Sequence, residues 1–180
     1  MSPVDPAPTE TVGLVRDAPR GDREAFAVLY QRFARMVHGI VLARIDRTDV
    51  DDVVQDVFVT ALDRLRDLRE PAAFGGWLAA IARHRAADYG RRSVRTDLLE
   101  DNAVTPRDAD RLEALAVLDA VRALPEAYRE TLMLRLVEGM TGAEIAERTG
   151  LTAASVRVNL HRGMKLLRER LERREPNADA

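Results

Sequence analysis

The sequence predicts an all-α protein made of two small helical domains joined by a flexible linker, and three observations carry that expectation. Ala, Leu, Arg and Glu, all strong helix formers, dominate the 180 residues. Ten Gly and eight Pro are too few for the many tight turns of a β-sandwich. Hydrophobic residues reach 46% while aromatics supply only 4%, so aliphatic helix faces have to build the cores. The length fits one ordinary domain or two small ones.

Taken in chain order, residues 1–20 read as a disordered tail, because Pro3, Pro6 and Pro8 sit there in a polar context. Helical spacing begins near Asp22, where Phe26, Leu29, Tyr30, Phe33, Val37, Ile40 and Val41 recur three and four residues apart. Asp49 is a suitable N-cap for a second helix, whose apolar stripe runs through Val50, Val53, Val54, Val57, Phe58, Ala61, Leu62 and Leu65. Pro71 punctuates the connection to a third helix, which carries Phe74, Trp77, Leu78, Ile81, Ala82 and Tyr89 and ends among Arg91, Arg92 and Arg95. These helices make a first domain over residues 21–92. Periodicity lapses over 93–107, where Asp97, Glu100, Asp101, Asn102 and Pro106 mark a linker.

A second domain is expected over 108–174, followed by a tail at 175–180. It opens with a helix bearing Leu112, Leu115, Leu118 and Val121, and Pro125 suits the first position of the next. Thr141 and Glu144 fit a capping box for a short helix with Ile145 and Ala146. Gly150 can stop that helix, and Thr152 can cap a last one carrying Val156, Leu160, Leu167 and Leu171. A short helix, a glycine turn and a second helix sharing a core describe a helix-turn-helix.

With no Cys, disulfides, thiolate metal sites and cysteine nucleophiles are excluded. The start carries no secretory signal pattern and no apolar run approaches a membrane span, so a cytoplasmic protein with no membrane insertion is expected. The net charge of -2 taken alone argues against nucleic acid. By position it separates into unlike parts. From Leu151 to Arg174 seven basic residues face only Glu169 and Glu172. At about 100° per residue, the side of this helix opposite its apolar stripe holds Ala154, Val158, His161, Arg162 and Lys165, with Arg157 on the flank. Arg can bind guanine through two hydrogen bonds, and Val158 is either a contact for a thymine methyl or an ordinary exposed apolar residue.

Residues 49–63 have the opposite chemistry, with five Asp and no Lys or Arg. Asp51 and Asp52 suit the positive end of the helix dipole. Asp56 lies beyond the first turn, repels Asp52, and has no basic partner one turn on. The stripe Asp52, Asp56, Val59 and Asp63, flanked by Gln55, can bind a basic protein surface, chelate a divalent ion, or be a solvated face. The third helix is basic again, with Arg83, Arg85, Arg91, Arg92 and Arg95 against Asp88 and with His84 and Tyr89 interleaved. Such a surface suits melted nucleic acid, whose bases stack and whose phosphates need neutralising; the other reading is that Trp77 and Tyr89 are core residues and the Arg run is a solvated helix end. Trp77 falls on the apolar face and is expected in the core.

In this order the pieces resemble an extracytoplasmic-function sigma factor of the sigma-70 family. The run Asp51 to Phe58 (DDVVQDVF) is similar to the family's region 2.2, Trp77 to Tyr89 (WLAAIARHRAADY) to regions 2.3 and 2.4, and Leu124 to Glu130 (LPEAYRE) with the helix-turn-helix to region 4. The resemblance implies that Asp52, Gln55, Asp56 and Val59 dock on the β′ coiled coil of core RNA polymerase. It implies that the loop from Arg66 to Phe74, with His84, Tyr89, Arg91 and Arg92, engages the melted minus-10 element of promoter DNA. Thr152, Ser155, Arg157, Val158, His161, Arg162 and Lys165 would read the minus-35 element, while region 4 also meets the β flap. An anti-sigma factor that covers these surfaces is implied too, with no cofactor, metal or catalytic residue.

The chain departs from the family pattern at Val158 and Asn159, where Ser and Arg are frequent, and at Met164, where Arg is frequent, so no minus-35 sequence is carried over. Gly90 stands where Leu is commoner and is expected to loosen the third helix. Two other functions compete with this reading. A stand-alone DNA-binding regulator leaves the acidic helix without a role. A metal-dependent enzyme using Asp51, Asp52 and Asp56 lacks a second acidic cluster and a phosphate-cradling glycine loop.

Overall fold

The computed structural model describes residues 8–96 and 109–173, and the side chains of 10–92 and 114–173 within them. It is helical throughout, with no strand among the described residues. The elements are α1 (Pro8–Asp17), α2 (Arg23–Leu42), α3 (Val50–Arg64), α4 (Phe74–Thr96), α5 (Ala109–Arg122), α6 (Glu126–Leu136), α7 (Gly142–Thr149) and α8 (Ala153–Glu172). Single 3₁₀ turns at Ala18–Arg20, Arg47–Asp49, Leu65–Asp67 and Pro71–Ala73 connect the first four.

α2 starts where Asp22 accepts a hydrogen bond from the Ala25 amide at 2.9 Å, capping an otherwise orphaned donor. Its buried stripe of Leu29, Met36, Val37, Ile40 and Val41 meets Val53, Val57, Phe58 and Ala61 of α3. Both pack on the alanine-rich face of α4, where Leu78, Ala79, Ala82 and Ala86 are buried and small side chains permit a close approach. Trp77 is half-buried, with its ring centroid 5.9 Å from that of Phe74, as its place on the apolar face predicts.

Two stretches differ from the sequence expectation. Of the tail expected over 1–20, residues 8–20 form α1 and a 3₁₀ turn, while 1–7 lie outside the described residues. α1 is held because Val15 and Ala18 are buried and Leu14 packs on the core. The Arg32 guanidinium also donates to Thr11 and to Glu10 at its solvent side. α4 runs past the expected boundary at 92 to Thr96, and Gly90 lies within it with open space where a side chain would be. Of the expected linker, 97–107 lies outside the described residues, as does the tail at 175–180.

In the C-terminal half α8 lies across α6 at Gly163, where an added Cβ would sit 3.0 Å from Leu132 Cδ1 and 3.1 Å from Tyr128 Cβ. Leu132, Met133, Met140, Ile145, Val156 and Leu167 form the core around that crossing. The two halves are in contact: α6 packs on α2, and α7 packs on α4 and α2.

Candidate functional site

Three surfaces carry the candidate residues. On α3, Asp52, Gln55, Asp56 and Val59 are all exposed, Val59 by 56%, and lie on the side away from the core. Neither Asp52 nor Asp56 forms an ion pair among the described residues. Leu62 belongs to the same surface at 46% exposure, three residues beyond Val59, although the sequence places it in the buried stripe. Tyr30 of α2 is likewise 44% exposed, with its ring 4.5 Å from Phe58. An acidic stripe edged with exposed apolar side chains suits a protein surface better than bulk water does. Among the described residues no group of three or more His, Asp or Glu side chains is assembled to hold a metal ion.

On α4 the basic residues divide. Arg83 turns toward α6, where its Nε and Nη2 donate to the Glu130 carboxylate at 3.0 and 2.8 Å. Arg85 donates to Thr60 Oγ1 on α3 at 2.8 Å, and Thr60 in turn donates to the Asp56 carbonyl. Neither belongs to an open basic face, contrary to the even basic surface suggested by the composition of this helix. His84, Arg91 and Arg92 remain exposed, and Tyr89 is half-buried against the core. Asp88 holds two of them, pairing with His84 Nε2 at 3.1 Å and with the Arg91 guanidinium. The segment from Arg66 to Ala73 leads into the N-terminal end of α4 with mostly exposed side chains, braced where Arg66 donates to the Pro19 carbonyl at 3.1 Å and where α1 packs on the Pro71–Ala73 turn.

The third surface is the helix-turn-helix of α7 and α8. The capping box forms as the sequence predicts, with the Thr141 amide donating to Glu144 at 2.6 Å and the Glu144 amide donating to Thr141 Oγ1 at 3.2 Å. These bonds from Thr141 hold the Glu144 carboxyl below its ordinary range. Gly150 closes α7 at φ +75°, the left-handed conformation that glycine adopts without steric cost. Thr152 then caps α8 by accepting from the Ser155 amide at 3.1 Å. Thr152, Ser155, Arg157, Val158, His161, Arg162 and Lys165 are all exposed, while Val156 and Leu167 are buried. Asn159 faces inward, 3.4 Å from Thr131 Oγ1 on α6, so it supports the helix crossing. The exposed face thus sets Arg157, Arg162 and Lys165 around the apolar Val158, 43% exposed, with Thr152 and Ser155 at the capped helix end.

Sequence reasoning missed the residues that join the two halves. Glu130 of α6 is 5% exposed and takes two guanidinium groups, Arg83 of α4 and Arg44 beyond α2, whose Nη2 lies 2.6 Å away. Burial pushes its carboxyl up, but Arg83 and Arg44 outweigh burial and hold it below the usual carboxylate range. His38 Nδ1 lies 2.5 Å from Glu138 Oε1, and that hydrogen bond raises the imidazole above its ordinary value.

Residues 29–96 match the family model of sigma-70 region 2, and residues 114–167 match that of sigma-70 region 4. The ECF RNA polymerase sigma-E factor of Haemophilus influenzae is 30% identical over 178 residues, spanning 88% of this chain and 94% of its own. The RNA polymerase sigma factor CarQ of Myxococcus xanthus is 34% identical over 161 residues, 84% of this chain and 91% of CarQ. Among solved structures, CnrH in complex with the cytosolic domain of CnrY superimposes with a TM-score of 0.64 at 30% identity, covering 91% of this chain and 97% of CnrH. Regions 2 and 4 in this order, with relatives matching over nearly their full length, establish that the chain belongs to the sigma-70 family as an extracytoplasmic-function RNA polymerase sigma factor, which directs promoter-specific initiation with core polymerase.

Proposed function

We propose a division of labour in which α3 docks on core polymerase, α4 with the Arg66–Phe74 segment takes the melted minus-10 element, and α8 reads the minus-35 element. The observation that carries it is the segregation of two unlike surfaces. The α3 stripe is acidic, exposed and, among the described residues, without an ion pair at Asp52 or Asp56, so it suits a basic surface such as the β′ coiled coil of core polymerase. The α8 face offers Arg157, Arg162 and Lys165 around Val158 and starts at a capped helix end that fits a major groove. His84, Tyr89, Arg91 and Arg92 supply stacking and phosphate contacts for a single strand. Region 4 also offers the β flap an apolar groove between α5 and α6, lined by Val117, Leu118, Val121, Met133, Leu136 and Val137.

The protein acts without a catalytic residue, cofactor or metal of its own, in the cytoplasm. No helix among the described residues is long and apolar enough to cross a membrane. CnrH is solved with the cytosolic domain of CnrY bound, and an anti-sigma factor is the proposed regulator here. The test is a pull-down with purified core polymerase followed by run-off transcription. Wild type is expected to be retained and to initiate, and Asp52→Arg with Asp56→Arg to lose at least tenfold in retention. Equal retention of the double variant overturns the docking assignment.

A further inference from the structure

The segment from Arg66 to Phe74 has little of its own to hold its shape. Leu65 and Phe74 anchor it at either end in the core, but between them only Leu68 and Pro71 are even half-buried. Its internal bonds are local. The Leu68 amide donates to the Leu65 carbonyl at 3.3 Å and the Ala73 amide to the Glu70 carbonyl at 2.9 Å, so each closes a single 3₁₀ turn. Such bonds fix each turn but leave the angle between the two turns open. A stretch with so few buried apolar contacts opens at small cost unless a neighbour holds it.

Both turns are held by the N-terminal helix. The Ala18–Arg20 turn that ends it packs on the Leu65–Asp67 turn, where Arg66 donates to the Pro19 carbonyl, and α1 itself packs on the Pro71–Ala73 turn. The first of these contacts borders a cleft of about 550 Å³ lined by Pro19, Phe26, Leu62 and Arg66, so packing there is incomplete and the polar contact carries the join. α1 is in turn conditional on α2. Its ten residues fall short of the about 12 to 15 that an isolated helix needs. Val15, 3% exposed, seats it in the core, and Arg32 of α2, with a side chain 8% exposed, donates to Thr11 and, at 3.3 Å, to Glu10. The next residue of α2, Phe33, meets the Phe74 ring edge to face with centroids 5.0 Å apart. Adjacent residues of α2 therefore fix α1 and the far end of the segment together.

We propose that α1 braces the segment that takes the minus-10 element, and that Val15 and Arg32 are positioning residues that set minus-10 selectivity from places too buried to touch DNA. This rests on the assignment of Arg66–Phe74 to the minus-10 element given above. A surface that reads bases has to be held within about 0.5 Å of its productive geometry by neighbours whose own side chains are locked by packing and hydrogen bonds. Asp52 and Asp56 on α3, and Arg157 and Arg162 on α8, face solvent rather than α1. Release of α1 is therefore expected to spare core docking and minus-35 reading.

Two variants of the full-length protein release the brace independently. Val15→Asp places a charge in the seat of α1, and Arg32→Met removes both side-chain bonds from α2, with circular dichroism checking that no more helix is lost than α1 contains. Hydrogen exchange is expected to run at least tenfold faster at the Leu68, Ala72 and Ala73 amides in both. Run-off transcription with core polymerase is then compared between a promoter that wild type uses and its single-base variants. The ratio of transcript from that promoter to transcript from its minus-10 variants is expected to fall at least fivefold. Core retention and the corresponding minus-35 ratio are expected to stay within twofold of wild type, and Val15→Ile to keep every ratio. Unchanged exchange in both variants overturns the brace, and equal losses of minus-10 and minus-35 selectivity overturn the positioning role. Arg69→Ala with Glu70→Ala, inside the segment, separates the two assignments. If it lowers the minus-10 ratio while Val15→Asp and Arg32→Met do not, the positioning role falls. If it keeps the wild-type ratio while Val15→Asp frees the amides, the minus-10 assignment falls and the brace stands.

Discussion

At Gly163 the absence of a side chain is what lets α8 lie against α6, since an added Cβ would press on both Leu132 and Tyr128. Overpacking of this kind costs about 1 to 3 kcal/mol, and Gly163→Val is expected to lower the denaturant midpoint of region 4 accordingly, as followed by helical circular dichroism. Charged residues on the other side of α8 are predicted to separate by role. Arg157→Ala or Arg162→Ala should cost about 1 to 3 kcal/mol at one base position if that guanidinium forms a two-bond contact, whereas Lys165→Ala should weaken all promoters alike and flatten the salt dependence. Binding titrations over a set of single-base promoter variants check this, and equal losses everywhere for all three changes contradict it. The outward residues of α8 were readable from the sequence because helical periodicity fixes direction once the apolar stripe is known. Arg83 and Arg85 were not, because the acceptors that draw them in, Glu130 and Thr60, lie on other helices and leave no trace in local spacing.

Among the elements, α7 and α8 were the easiest to anticipate, since their ends are written in side chains that bond within three residues of one another. Thr141 with Glu144 and Thr152 with Ser155 are local devices, and glycine at position 150 is required by a left-handed turn. Thr152→Ala removes the acceptor for the Ser155 amide and is expected to cost region 4 about 1 kcal/mol, seen as a lower thermal midpoint. The first helix is the contrary case. Its ten residues contain a glycine and few apolar side chains, too little to stand as an isolated helix, and only the pocket that receives Val15 and Ala18 makes it form. Leu62 and Tyr30 show the same dependence on context, since periodicity sets them in apolar stripes while no element among the described residues covers them.

For the molecule as a whole, pH acts on the joint between the regions. His38, faced by Glu138 from region 4 and by the Asp51 charge from α3, titrates above its ordinary value. Its contribution to closure is therefore complete below that ordinary value and is lost as pH rises through the raised one. Glu130, held low by its two arginines, contributes fully above the ordinary carboxylate value and loses that contribution as pH falls through the lowered one. Small-angle scattering is expected to show the free protein most compact at weakly acidic pH and expanding toward pH 9, and His38→Gln should flatten the alkaline drift. The two-domain, all-helical plan was visible in composition and periodicity. Their mutual seating was not, because it rests on pairs such as His38 with Glu138, separated by 100 residues.

That separation also sets a schedule during synthesis. Arg44 leaves the ribosome 86 residues ahead of Glu130, and at about 5 to 20 residues per second the wait is about 4 to 17 s. Throughout it region 2 can fold, since its helices draw on local chain, while the face that later receives α6 and α7 is bare. A nascent chain at that stage already displays its acidic α3 stripe, so a polymerase met during translation finds the docking surface before the last helix has been made.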